Sequence, residues 1–75
     1  MKRSPVESER LIATIPRGDT GEIRVRWVRL HSGFTFVDVR FWQKKWSGWE
    51  PKKGIALAEV EAPPVGDALK GLSTP

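Results

Sequence analysis

Two stretches of the chain alternate regularly between two kinds of side chain, and this alternation constrains the fold more than any other feature. In residues 23–28 the odd positions are apolar, while the even positions begin with Arg24 and Arg26. In residues 34–42 the odd positions are threonine, valine or phenylalanine, and the even positions mix aromatic rings with Asp38 and Arg40. Successive side chains of a β-strand point to opposite faces. Both stretches are therefore predicted to be strands with one apolar face and one face that is basic and aromatic.

The remaining segments predict two further strands and one helix. Arg29 and Leu30 leave the alternation, so a bulge or a strand end is expected near Val28. Pro63 and Pro64 suit the first turn of a short helix. We expect residues 1–9 to form a mobile tail and residues 10–72 to form a single domain. In chain order, the predicted elements of that domain are a strand over residues 10–15, a turn over 16–21, a strand over 23–30, a turn over 31–33, a strand over 34–43, a loop or hairpin tip over 44–50, a strand over 53–58 and a helix over 65–72.

The size of the chain predicts that the fold needs a second copy. A chain of 75 residues with no cysteine and one histidine can form neither a disulfide framework nor a typical zinc site. Domains of this size usually depend on disulfides, metals or oligomerisation, and one short helix covers little of a four-stranded sheet. The predicted fold is therefore α+β, a four-stranded antiparallel meander followed by one C-terminal helix, in a homodimer.

Charge and aromatic rings are concentrated in residues 22–53. This stretch holds every tryptophan and phenylalanine of the chain, with eight basic side chains against three acidic ones, whereas the net charge of the whole chain is +4. Cations spaced along a strand, with rings for bases to stack on, are typical of proteins that bind single-stranded nucleic acid. On this basis the candidate DNA-binding residues are Arg24, Arg26, Arg29, Phe34, Phe36, Arg40, Trp42, Lys44, Lys45, Trp46, Trp49, Lys52 and Lys53.

Not every ring can serve a ligand, because so small a domain needs some of them in its core. Trp27 and Phe41 are in phase with the valines and are assigned to the core. Phe34 and Phe36 lie on the basic side, where they are either exposed or buried by a second copy. The hairpin tip over residues 44–50 is the place where exposed tryptophans are most expected.

The residues give little support for an enzymatic function. The chain has no cysteine nucleophile, a single histidine, and no glycine pattern of a phosphate-binding loop. Asp38 and Glu50 are expected to pair with arginines on neighbouring strands rather than to act as a catalytic pair. The Arg-Gly-Asp triplet at residues 17–19 is read as a hairpin turn. We expect no catalytic residues, no bound metal and no cofactor.

Two short motifs resemble a known family. The sequence VDVR at residues 37–40 is followed by an aromatic pair, a variable tip and then PKKGIAL at residues 51–57. This order is similar to that of the transcriptional coactivator family typified by positive cofactor four, over about residues 22–72. Ala56 stands where the family usually has serine, and Glu50 where lysine is common. The compact form is similar to the minimal bacterial and phage members.

The resemblance implies a homodimer of strongly curved sheets whose helices meet at the interface. In that family the sheets form channels that bind single-stranded or melted DNA, largely without sequence preference. Arg40 matches the arginine of the first motif and Lys53 the lysine before its glycine. Arg24 and Arg29 fall on basic positions of the preceding strand, and His31 falls where the family stacks an aromatic ring on a base.

Two other partners stay open at this point. An RNA-binding small β domain would use the same stacking surfaces, and a protein-interaction module would dock an apolar segment on the tryptophans. The N-terminal residues lack the apolar stretch of a secretion signal, and no apolar run is long enough to cross a bilayer. We expect a cytoplasmic protein without a membrane partner, associated with the nucleoid in a bacterium or nuclear in a eukaryote.

Overall fold

The chain forms one antiparallel sheet followed by one helix. The structure is a computed structural model that describes residues 5–73. The strands lie in the order in which they occur in the sequence, and each pairs antiparallel with the next, so the predicted meander with a C-terminal helix is confirmed. The elements are β1 (Val6–Arg17), β2 (Gly21–Leu30), β3 (Thr35–Lys45), β4 (Gly48–Ala58) and α1 (Ala62–Lys70), with a final 3₁₀ turn at Gly71–Ser73.

The outer strands are longer than predicted. β1 begins at Val6, so the prediction of a tail reaching residue 9 is wrong for residues 6–9, which pair with β2; residues 1–4 of that tail lie outside the described residues. Most side chains in this segment are polar, so the sequence did not indicate a strand there. The strand is stabilised by backbone pairing with β2. β4 begins at Gly48 and includes Pro51, which is tolerated because β4 is an edge strand. The predicted loop over residues 44–50 is therefore a two-residue turn of Trp46 and Ser47 between two long strands.

The other turns and the helix follow the sequence more closely. The Arg-Gly-Asp triplet lies at the β1–β2 hairpin, as predicted, and Gly18 adopts a positive φ of 68° that favours glycine there. Residues 31–33 form the β2–β3 turn, in which Gly33 has a φ of 92°. The helix runs from Ala62 to Lys70 and has Pro63 and Pro64 in its first turn, as predicted, where the N–H that proline lacks would have no partner.

Of the bulge or strand end expected near Val28, β2 shows the strand end, at Leu30, and the bulge lies in the neighbouring strand. β2 pairs with β3 without a register shift from Gly21 to Arg29. The extra residue belongs to β1, whose pairing shifts between Val6 and Ser8, opposite the end of β2. A second shift in β1 falls between Leu11 and Ala13, so Leu11 is paired with Arg26 while Ala13 is paired with Val25. An edge strand can absorb an extra residue because only one of its sides is paired.

The register divides the sheet into two faces as the alternation predicts. On one side, which we call the apolar face, Ile23, Val25 and Trp27 of β2 pair with Phe41, Val39 and Val37 of β3. Ile55 and Leu57 extend this face onto β4. The helix α1 lies over it and leaves a cavity of about 410 Å³ whose lining comprises Ile15, Ile23, Val25, Val37, Val39 and Leu57 from the sheet and Ala62, Val65, Gly66 and Leu69 from the helix.

The single chain covers its apolar face poorly. None of the residues of α1 is buried, and Ile55 and Leu69 are 56% and 62% exposed. Val28, on the opposite face, is the one hydrophobic residue buried in the part of the chain that the structure describes. The radius of gyration is 14.3 Å, against about 11 Å for a compact chain of this length. The described chain is thus a thin plate, 17 Å in its shortest dimension, rather than a closed core.

Gly54 allows β3 and β4 to approach closely, and this gives a test of the packing. A Cβ at this position would lie 2.6 Å from the carbonyl oxygen of Val39 and 2.8 Å from the Cβ of Arg40. We expect Gly54→Ala to lower the free energy of unfolding by about 1–3 kcal/mol in urea denaturation, because the two strands must move apart.

The matched control is Gly71→Ala at the end of α1. Gly71 has a φ of −59°, and a Cβ there would meet no atom within 4 Å. This change should leave the free energy of unfolding unchanged or raise it by up to about 1 kcal/mol. Equal effects of the two substitutions would contradict the close approach at Gly54.

Candidate nucleic-acid interface

The side of the sheet opposite the helix carries interleaved arginines and aromatic rings. The register places Arg24 opposite Arg40 and Arg26 opposite Asp38 on adjacent strands. We call this side the arginine face; on the two central strands it comprises Glu22, Arg24, Arg26 and Val28 of β2 and Phe36, Asp38, Arg40 and Trp42 of β3. Alternation predicted this set apart from Glu22, because both central strands keep their phase along the whole paired length.

A buried carboxylate holds the two middle arginines. Asp38 is 2% exposed, and its Oδ2 accepts hydrogen bonds from Nη2 of Arg26 at 3.1 Å and Nε of Arg40 at 3.2 Å. Its Oδ1 accepts a third from Nη2 of Arg40 at 2.9 Å. Burial by itself raises the pKa of Asp38, but the hydrogen bonds from Arg40 and Arg26 outweigh it and the pKa lies below its ordinary value. The same contact raises the pKa of Arg40.

The expected pairing of the two candidate carboxylates is confirmed for one and wrong for the other. Asp38 pairs with Arg26 on the neighbouring strand, as predicted, and with Arg40 on its own strand. Glu50 pairs with Lys52, two residues further along β4, rather than with an arginine on another strand. That hydrogen bond holds the pKa of Glu50 below its ordinary value. The nearer partner prevails because residues two apart on a strand share a face.

Arg24 lies over two tryptophan rings. The carbon of its guanidinium is 4.4 Å from the ring centroid of Trp42 and 5.0 Å from that of Trp49, which reaches this face from β4. Its Nε donates to Oε2 of Glu22 at 2.6 Å. The guanidinium of Arg26 contacts the Trp42 ring as well, at 5.5 Å. The half-buried Trp42 ring is therefore enclosed by arginine side chains, and its indole N–H has no hydrogen-bond partner.

The positive charge of this region is distributed unevenly. Each of the three arginines pairs with a carboxylate, since Glu22 holds Arg24, Glu9 joins Asp38 at Arg26, and Asp38 holds Arg40. Arg40 also donates to the backbone carbonyl of Lys52 at 2.7 Å. The cations on the β3–β4 hairpin that form no ion pair in the described chain are Lys44, Lys45 and Lys53. In the described chain, the cations without an ion pair in this region therefore lie on the hairpin rather than among the three arginines.

The aromatic candidates on the hairpin and at the far end of the sheet are exposed. Trp46 is fully exposed in the β3–β4 turn and Trp49 is 41% exposed, so the expectation of exposed tryptophans at this tip is confirmed. Lys44 lies 5.9 Å from the Trp49 ring. At the opposite end of β3, Phe34 is exposed and stacks on Phe36 with ring centroids 5.9 Å apart.

Other candidates are separated from the arginine face. Arg29 is in phase with Trp27 on the apolar side, where it is half exposed and lies 3.7 Å from Glu7. His31 is exposed in the β2–β3 turn. Trp27 lies on the apolar face, as its phase predicted, and its indole N–H donates to Glu59 at 3.2 Å. The pKa of Glu59 lies below its ordinary value because of a side-chain hydrogen bond with Thr35, which has the larger effect, and the one from Trp27.

Two counterions of this face were missed by sequence reasoning. Glu22 could have been found, because it precedes Arg24 by two positions and so shares its face. Glu9, whose Oε2 accepts from Nη1 of Arg26 at 3.0 Å, carries no such signal. Its position depends on the register shift in β1, which the sequence does not reveal.

No protein-family model matches the chain, and comparisons with curated proteins and with solved structures found no significant match. The resemblance to the coactivator family therefore stays a prediction. Across residues 5–73, no three histidine or acidic side chains cluster closely enough to hold a metal ion. No helix in the same range is long and apolar enough to cross a membrane.

The buried Asp38 predicts a specific loss of stability in acid. Its pKa is lowered on folding, so the ionised carboxylate stabilises the fold above about pH 4 and this contribution disappears as the pH falls through the lowered pKa. We expect Asp38→Asn to reduce the free energy of unfolding at pH 7 by about 3 kcal/mol. The variant should then lose less stability than the wild type between pH 5 and pH 2 in urea denaturation.

Asp19→Asn is the control, since Asp19 is exposed in the β1–β2 turn and forms no ion pair in the described structure. It should keep the acid profile of the wild type. Parallel profiles for Asp38→Asn and the wild type would show that the buried carboxylate does not stabilise the fold through its charge.

Proposed function

We propose that the chain is a non-enzymatic binder of single-stranded or melted DNA that acts as a homodimer and has little sequence preference. The observation that supports this most is the arginine face itself, on which Arg24, Arg26 and Arg40 contact or flank the Trp42 ring on adjacent strands. Rings stack on any base because every base has a π-face, and cations attract any phosphate. A surface with both groups favours binding without base readout.

The charges suit a two-part contact with the phosphate backbone. Lys44, Lys45 and Lys53 on the hairpin form no ion pair in the described chain. They would attract the strand first, at long range. Arg26 and Arg40 are held in place by Asp38, and a guanidinium that donates to a carboxylate keeps further N–H groups for a phosphate.

The aromatic groups favour an unpaired strand over a duplex. Trp46, Trp49 and Phe34 are exposed, and a ring can receive a base only when that base leaves its own stack. A duplex presents its phosphates alone to such a surface. The preference for a single strand is therefore expected to come from stacking, and the salt dependence from the cations.

The dimer in this proposal follows from the exposed apolar face. Ile15, Ile55 and Leu69 are all about half exposed or more in the single chain, beside the cavity under α1. Burying this face against the same face of a second copy would close the core that the thin sheet lacks. It would leave both arginine faces outward, each available to a strand.

The binding proposal is tested by a salt titration with single-stranded and duplex DNA of equal length. We expect quenching of tryptophan fluorescence by oligo-dT and an affinity that falls with salt by about 0.7 log units per phosphate contact for each log unit of salt. Duplex should bind far more weakly because its bases do not reach the rings. Equal affinities for the two forms would overturn the proposal, and a matched RNA oligonucleotide that competes better than DNA would redirect it to RNA.

Paired charge removals locate the interface in the same assay. Lys44→Gln, on the arginine face beside Trp49, should weaken binding, and it should reduce the salt slope by about 0.7. Arg10→Gln removes the same charge from the other side of the sheet, where Arg10 lies 5.8 Å from the Trp27 ring. It should change the affinity less than Lys44→Gln does. The reverse order would place the interface on the apolar side.

The dimer is tested separately by sedimentation equilibrium. The wild type should have twice the chain mass of 8.5 kDa at micromolar concentration. Ile55→Asp should give a monomer, because a carboxylate on the apolar face would be buried in the dimer without a partner. Val60→Asp is the control, since Val60 is 80% exposed in the turn before α1. A monomeric wild type would contradict the proposed dimer, but it would not contradict the proposed DNA binding.

A further inference from the structure

The aromatic surface that the proposed function needs is covered by the chain's own Arg24. The guanidinium carbon lies 4.4 Å from the Trp42 centroid and 5.0 Å from the Trp49 centroid. A guanidinium is planar and stacks on aromatic faces much as a nucleobase does. A base that approaches these two rings therefore meets a side chain already in the stacking position.

Glu22 holds Arg24 in this position. Its Oε2 accepts from Nε of Arg24 at 2.6 Å, and the two side chains are only 19% and 21% exposed. Both residues lie on β2, two positions apart, so the hydrogen bond between them does not depend on the conformation of a loop. The other arginines of the face are held differently, because Arg26 and Arg40 both donate to the buried Asp38. Arg24 is thus the arginine of this face that Asp38 does not hold.

We propose that Arg24 is a displaceable occupant of a nucleobase-binding site formed by Trp42 and Trp49. This inference rests on the proposed function. A base of single-stranded DNA takes the place of the guanidinium over the two rings, and Arg24 exchanges Glu22 for the phosphate of the same nucleotide. The stacked nucleotide brings that phosphate to the side chain it displaces, so stacking and the new ion pair form together. Without a ligand, Arg24 shields the two indoles from water and from apolar partners.

Arg24 has two opposing effects on affinity in this arrangement. It opposes binding, because it must leave the rings, and it favours binding, because it contributes a phosphate contact. Only the second effect depends on salt. Removing the guanidinium should therefore weaken binding at low salt and spare or strengthen it at high salt.

The direct test is the NMR spectrum of the wild-type side chains before and after addition of oligo-dT. The δ-methylene and Nε–H protons of Arg24 should be shifted upfield by the ring currents of Trp42 and Trp49. On binding, these shifts should return toward ordinary arginine values while the indole resonances of Trp42 and Trp49 move. Arg17, which lies 5.0 Å from the Phe41 ring away from the arginine face, is the internal control and should keep its shift.

The outcomes separate this inference from the function on which it rests. No change in any resonance and no binding at low salt would overturn both. Binding with an unchanged Arg24 shift would overturn this inference alone, because the base would then stack on the guanidinium or elsewhere. Binding with release of Arg24 supports it.

A salt titration of two variants gives an independent test. Arg24→Gln should reduce the salt slope by about 0.7, so across a fourfold rise in salt it loses about threefold less affinity than the wild type. Its binding curve should cross that of the wild type and equal or exceed it at high salt. Lys45→Gln removes one charge from the same hairpin region without uncovering a ring, and it should not exceed the wild type at any salt concentration. If Arg24→Gln stays weaker throughout, in parallel with Lys45→Gln, Arg24 is a simple phosphate contact and the inference fails.

Discussion

The hydrogen bonds between the buried Asp38 and the guanidinium groups of Arg26 and Arg40 are the interaction on which the rest of the arginine face depends. A carboxylate that is 2% exposed is stable in its charged form only when strong donors replace the water it has lost. Asp38 therefore fixes two cations, one on each central strand, at a defined spacing. The strands are thereby joined by ionic contacts on one face and by valine packing on the other. The arrangement explains how a thin sheet can present arginines in a fixed geometry.

The second constraint is that the described chain has few side chains with which to form a buried core. Residues 5–73 form a plate with one helix over one side, and that helix buries none of its own residues. A layer of this kind is stable when its apolar side meets another layer. The proposed function uses this division, because the face that needs a second copy is not the face that would receive the strand. Assembly and binding can therefore be altered by separate substitutions.

The state of the arginines sets the character of the proposed interaction. Preorganised cations lose little conformational entropy on binding, but each is already paired with a carboxylate, so a phosphate must compete for it. Lys44, Lys45 and Lys53 of the hairpin form no ion pair in the described chain. Initial attraction would then depend on the lysines and the final geometry on the arginines and rings. This division is consistent with the role inferred for Arg24, whose exchange of Glu22 for a phosphate couples the two stages.

The sequence by itself determined the two faces, the order of the elements and the turns, because alternation, glycine and proline act over a few neighbouring residues. It also indicated that Asp38 would pair with an arginine across strands, since both positions lie in phase. It did not determine the length of the edge strands, whose mostly polar residues 6–9 and Pro51 carry no clear strand signal and depend on pairing with a neighbour. Nor did it show that Arg24 covers Trp42 and Trp49, or that Glu9 reaches Arg26. These contacts join residues on different strands, and their distances were decided only by the register shifts and strand order of the tertiary structure.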